Sequence, residues 1–128
     1  MIHPRDLEVR KQGAVTVVRF REHRIYDDLV VKRVTDALHD LTSQPGCQHL
    51  LLNLAGVVSP SSLLIGNLVA ILRRMESKGG TLKLCNVDPE VQRMLRVMRL
   101  DGLFNLRENE PEGLLAVAGS CSARTIGE

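Results

Sequence analysis

Tryptophan is missing from this chain, and aromatics make up only 2% of its 128 residues, namely Phe20, Tyr26 and Phe104. A core without large rings has to be assembled from Leu, Val, Ile and Met. A surface without them offers few platforms for stacking single-stranded nucleic acid. Charge of one sign is also lacking. The 17 basic residues are balanced by 15 acidic ones, for a net charge of +2, too even for an electrostatic footprint on nucleic acid. No apolar run is long enough to cross a bilayer, and the opening MIHPRDLEVR has no apolar signal-peptide stretch. Cys47, Cys85 and Cys121 are odd in number and far apart. That spacing argues against a disulfide framework, and for free thiols in a reducing cytoplasm.

Chemistry-bearing motifs are scarce too. There is no CxxC, no HExxH and no Gly-rich phosphate loop. His3, His23, His39 and His49 share no ligand spacing with one another or with the cysteines, so neither a metal nor another cofactor is expected. His49 reads as a strand-end residue, and Asp27-Asp28 as helix-capping acids. The serines have no sequence-visible general base beside them, which points away from an enzyme. Arg73, Arg74, Arg93, Arg96 and Arg99 could form an acid-seeking face, but read more simply as solvated helix surface.

What the chain does have is apolar residues, 44% of the total, enough for one packed core. The reading is a single domain over 1–119 and a disordered tail over 120–128. Its organising stretch is 49–66. Leu50-Leu51-Leu52, then Asn53 and Leu54, read as a strand buried on both faces. A loop through Ser59-Pro60-Ser61-Ser62 leads into an apolar helix over 62–77. Leu64, Leu68, Ile71, Leu72 and Met75 form its core stripe. Leu63, Ile65 and Val69 widen the apolar arc past what one sheet contact needs, so the helix is either buried on a second side or leaves surface for a partner. With Pro60 at the first helical position, Ser59 would be the cap.

Around this centre the elements alternate. Residues 7–11 and 14–20 read as a hairpin turning at Gln12-Gly13. Val30, Val31, Val34, Ala37, Leu38 and Leu41 mark one face of a helix capped by Asp27 or Asp28. Lys78-Gly79-Gly80 stop the 62–77 helix, and Thr81 to Cys85 make a strand. Asp88-Pro89-Glu90 start a helix with a buried stripe of Val91, Met94, Leu95 and Met98, ending at Asp101-Gly102. Leu103 to Leu106 read as a last strand, and Pro111 to Ala118 as a last short helix. The fold class is α/β in the order β-β-α-β-α-β-α-β-α, with a mostly parallel sheet.

Taken together, the stretch from His49 to Leu54, the serine loop, Gly79-Gly80-Thr81-Leu82-Lys83-Leu84, Asp88-Pro89-Glu90-Val91 and Gly102-Leu103-Phe104 resemble the STAS domain of bacterial anti-sigma factor antagonists. That family's loop usually reads Asp-Ser-Ser-Gly, and its first Ser is phosphorylated by a partner kinase that is also the anti-sigma factor. Matched here, Ser61 falls at the Asp, Ser62 at the phosphoacceptor, Leu63 at the second Ser and Leu64 at the Gly. The resemblance implies a non-enzymatic regulatory domain in the cytoplasm, possible as a homodimer, with no nucleic-acid or membrane partner. Its implied partner is an anti-sigma factor or serine kinase of the histidine-kinase-like ATPase type. The expected contact residues are Val58, Ser59, Ser61, Ser62, Leu63 and Asn67. Two alternatives remain open, an unphosphorylated scaffold or assembly subunit and a small-ligand or nucleotide sensor.

Overall fold

The computed structural model describes residues 7–21, 27–57, 61–104 and 106–115. Strands β1 (Leu7–Gln12) and β2 (Val15–Phe20) form the opening hairpin. Gln12 pairs with Val15, so the two-residue loop is Gly13-Ala14, one position beyond the predicted turn. The first loop position needs a positive φ, and Gly13, at 61°, supplies it. Helix α1 (Asp28–Thr42) follows, with the Asp27 carboxylate accepting from the Leu29 N–H at 2.9 Å. Next come β3 (His49–Asn53), α2 (Ser62–Ser77), β4 (Thr81–Cys85) and α3 (Pro89–Val97).

The sheet runs in the order β1-β2-β3-β4, with only the first pair antiparallel. Helices α1 and α2 each connect neighbouring parallel strands and step in the same direction. Right-handed crossovers therefore put both on one face of the sheet. There Val18, Leu52 and Leu84 meet Val34, Leu38, Leu68 and Leu95 in a single cluster. All five residues of the predicted α2 stripe are buried. Beyond that stripe Ile65 is buried and Val69 partly buried, while Leu63 stays exposed. The wide apolar arc is thus mostly consumed by packing.

Both later helices end in the same hydrogen-bond pattern. At α2 the Gly79 N–H donates to Glu76 O and the Gly80 N–H to Met75 O, with Gly79 at φ 77°. Gly80 has a second reason to be glycine, since a Cβ there would lie 2.2 Å from the Gln48 carbonyl oxygen. At α3 the Arg99 N–H donates to Arg96 O and the Leu100 N–H to Leu95 O. Arg99 takes the left-handed position, φ 60°, so α3 ends before Asp101-Gly102, earlier than predicted.

The predicted strand from Leu103 to Leu106 keeps its place in the order of elements but is reduced, among the described residues, to a single bridge just beyond it. Residues 101–104 are a turn, and among the described residues the segment after it pairs with β4 at a parallel bridge between Arg107 and Cys85. Phe104 is nevertheless fully buried, so the apolar run satisfies its burial through a side chain without joining the ladder. A short helix over 110–115 then covers the opposite face of the sheet, where Leu114 packs on Val15, Val17, Leu51 and Cys85. The rest of the predicted last helix, the tail over 120–128 and Cys121 lie outside the described residues.

Glu110 anchors this covering segment. Its carboxylate accepts from Arg10 Nη2 at 2.9 Å, Arg19 Nε at 3.1 Å and Asn53 Nδ2. Burial pushes its pKa up, but these three bonds outweigh that and hold it below the usual carboxylate range.

Leu52 is fully buried in β3, so Leu52→Ala is expected to cost roughly 2–5 kcal/mol in urea denaturation. A lowered folded-state pKa at Glu110 gives stability that is present above the unfolded value and lost as pH falls through the folded one. Acid denaturation should therefore begin at lower stability, and with a shallower pH slope below about pH 4.5, in Glu110→Gln than in the parent. Superimposable curves for the two proteins would show that the clamp contributes nothing.

Candidate functional site

The N-termini of α2 and α3 both follow the C-terminal ends of adjacent parallel strands, the end of an α/β sheet at which ligands collect. At α2 the two described serines divide the work. Ser61 is the N-cap, and its Oγ accepts from the Leu64 N–H at 3.1 Å. Ser59, the cap expected from Pro60, lies outside the described residues with Val58, and the capping bond belongs to Ser61. Ser62 is the first helical residue and is exposed. Its hydroxyl is therefore placed beside the positive end of the helix dipole. The first turn of α2 carries no acid.

Ser62 lines one wall of an open groove of about 490 Å³, and α3 supplies the other wall with Glu90, Arg93, Met94, Val97 and Met98. The apolar part is unusual for a small domain's surface, because Val97 is 78% exposed and Met98 36% exposed. Met98 was expected in the core stripe of α3 with Val91, Met94 and Leu95. Only Val91 and Leu95 are buried, and Met94 is half-buried. The helix ends at Val97, so Met98 is carried to the rim as its C-cap. Glu90 and Arg93 form an ion pair one turn apart on the same wall.

Of the other expected contact residues, the described ones, Ser61, Leu63 and Asn67, do not line this groove. A helix turns about 100° per residue, which puts Asn67 about 140° round α2 from Ser62. Asn67 Nδ2 donates to Thr35 Oγ1 of α1 at 3.0 Å, and further along that flank Arg74 bonds His39 and Ser43. Leu63, 49% exposed, lies about 40° from Asn67 round the helix, on the Asn67 flank. Ile65 and Val69 share the flank of Ser62. The groove's α3 wall was the part missed from sequence. Its one legible cue is Val97, an apolar β-branched residue on the otherwise charged face of Arg93, Arg96 and Arg99.

The strongly perturbed groups lie elsewhere, on the second face of the sheet. Burial pushes the Cys85 thiol up to about 11, which leaves it protonated and unreactive near neutral pH. Burial, helped by the nearby Arg107, lowers the Lys83 pKa. Cys47 and Cys85 are free and buried. Among the described residues no three His, Cys, Asp or Glu side chains are grouped to hold a metal, and no helix is long and apolar enough to cross a membrane.

Comparison with known proteins agrees with the architecture. The family model for the STAS domain matches residues 6–113. A candidate anti-sigma factor antagonist from Thermotoga maritima superposes with a TM-score of 0.78 at 19% identity, over 88% of this chain and 94% of its own. An anti-sigma-factor antagonist (STAS) domain protein from Planctomyces limnophilus gives 0.76 at 28% identity, over 88% and 98%. The phosphorylated form of the Bacillus cell fate determinant SpoIIAA gives 0.66 at 15% identity, over 86% and 96%. Comparison with curated proteins gives no match.

The capping bond predicts a split between the two serines. Ser61→Ala is expected to lower stability by ~1 kcal/mol in thermal or urea denaturation, and Ser61→Asp to retain most of it. Ser62→Ala should melt with the parent. A loss at Ser62 equal to that at Ser61 would remove the assignment.

Proposed function

The chain belongs to the STAS domain family, and from that premise we propose that it is a non-enzymatic regulatory domain whose groove between Ser62 and α3 docks a protein partner. The single observation that carries this is the groove itself: an exposed serine at a helix start faces exposed Val97 and Met98 across an open cleft. An open, shallow, methionine-lined surface suits an apolar protein side chain better than an enclosed small molecule.

The partner class is an anti-sigma factor that is also a serine kinase, in keeping with the relatives described as anti-sigma factor antagonists. Ser62 is the phosphoacceptor. The kinase transfers the γ-phosphoryl of ATP to Ser62 Oγ. The O–P bond to ADP breaks, a new Oγ–P bond forms, and the hydroxyl proton leaves to a base on the kinase. Ser61 stands where the family has Asp. Asp and Ser both cap helices, so the exchange keeps the cap and removes one negative charge beside the acceptor. The phosphate adds roughly −1.5 to −2 charge at a helix N-terminus, where the fold tolerates it, and it spoils an apolar interface by desolvation.

Pull-down with the cognate partner, with circular dichroism of each variant, tests the reading. Ser62→Ala should bind as the parent does, and it should take up no phosphoryl group by mass spectrometry after incubation with partner and ATP. Ser62→Asp and Val97→Asp should each weaken binding at least tenfold. Leu63→Asp, on the Asn67 flank, should weaken it less. Equal binding by all of these folded variants would remove the groove as the contact site. Binding that responds to Val97→Asp with no phosphoryl uptake would favour the unphosphorylated scaffold.

A further inference from the structure

Resting on Ser62 as the modified residue, we infer that Arg93 is the residue that reads the phosphate, exchanging Glu90 for phosphoserine 62 and closing the docking groove by an ion pair across it. Three features of the groove lead there. Its described lining holds one cation and one anion, Arg93 and Glu90, both on the α3 wall, opposite Ser62. These two are paired with each other in the unmodified protein. Among the described residues the α2 wall brings no competing charge, since its first turn holds no acid. The neighbouring acid, Asp88, is occupied as the cap of α3, accepting from the Glu90 N–H at 2.9 Å.

The Glu90–Arg93 pair is weakly held. It is an exposed pair one helical turn apart, with side chains 69% and 62% exposed, and such pairs contribute little. A phosphate offers a guanidinium more charge and three acceptor oxygens in a geometry suited to bidentate bonding. Phosphorylation at Ser62 therefore draws Arg93 away from its own helix toward α2. Because Ser62 and Arg93 stand on opposite walls, the new pair spans the cleft above Met94, Val97 and Met98. Glu90 is left unneutralised at the same mouth, so the surface presented to a partner turns from neutral and open to acidic and bridged. The modification then acts twice on docking, through its own charge and through the side chain it recruits.

The test needs neither kinase nor partner. Phosphoserine is incorporated at position 62 of the full chain during synthesis, and its second ionisation is followed by phosphorus NMR. A free phosphoserine titrates near about 6. The parent should titrate below that, and Arg93→Ala should move the midpoint up by roughly half a unit, the scale of an exposed opposite charge. Arg93→Lys should restore part of the difference, and Glu90→Gln should move the midpoint further down. Arg96→Ala, on the same helix but outside the groove lining, should leave it unchanged. In methyl spectra the Met94 and Met98 signals should shift on phosphorylation in the parent and stay put in Arg93→Ala. Coincident titrations of parent and Arg93→Ala, or an equal shift in Arg96→Ala, would overturn the inference, as would Met94 and Met98 signals unmoved by phosphorylation in the parent. Any of these would leave groove docking at Ser62 intact. Conversely, a chain that no kinase modifies would sink the phosphoacceptor reading while these titrations remained readable.

Discussion

Strand β3 has water on neither face, and most of the structure follows from that. All five residues from His49 to Asn53 are buried. Leu50 and Leu52 point into the layer shared with α1, α2 and α3, while Leu51 points to the other side, under the short helix over 110–115. Gly113 sits against Leu51 so closely that a Cβ there would come within 2.7 Å of it. A strand of this kind must be flanked on both sides by partners for its N–H and C=O groups, and parallel pairing with β2 and β4 provides them. Parallel neighbours in turn require crossover helices. The helix starts therefore gather at one end of the sheet, and the groove between α2 and α3 is a consequence of that gathering.

The polar end of β3 shows how the second face is kept closed. Asn53 is 1% exposed, and a buried amide without partners would be costly. Its Oδ1 accepts from the Ala55 N–H at 2.8 Å, and its Nδ2 reaches Glu110. Glu110 is tied to Arg10 of β1 and Arg19 of β2 as well. One carboxylate thereby joins three strands to the segment that covers Leu51. The half-exposed arginines supply this with modest energy each, but the satisfied Asn53 could not be left unpartnered without a larger loss.

Features carried by local chemistry were legible in the sequence. The triple leucine run, the α2 stripe, Gly79-Gly80 and Asp88-Pro89 all acted as their side chains dictate. Misreadings occurred where two local rules competed. Pro60 suggested a helix start at once, but a Ser hydroxyl two residues from Ser59 could cap equally well, and the bond formed at Ser61. Leu103 to Leu106 had the composition of a strand. The turn after α3, with the Leu103 N–H donating to Leu100 O, used that backbone first. The groove was half legible. Ser62 was visible as a helix-start hydroxyl, whereas Met98 looked like core because nothing in the sequence ended α3 before Asp101-Gly102. A left-handed arginine is a poor terminator by propensity, and here the bonds to Leu95 and Arg96 override it.

The two adjacent serines hold different positions: one is bonded into the helix start and the other faces the groove. The Ser61 hydroxyl is committed to the Leu64 N–H, so changing it acts on the helix. The Ser62 side chain is exposed at the groove wall and free of that duty, so changing it acts on the surface. Negative charge at that position is favourable to the helix dipole by ~0.3–1 kcal/mol, and the core stripe from Leu64 to Met75 holds α2 against the sheet regardless. Among the described residues of the groove, a charge added at Ser62 faces the Glu90–Arg93 pair and the exposed Val97 and Met98 beyond it. The same frame that buries β3 on both faces thus sets Ser62 on the wall of the cleft between α2 and α3.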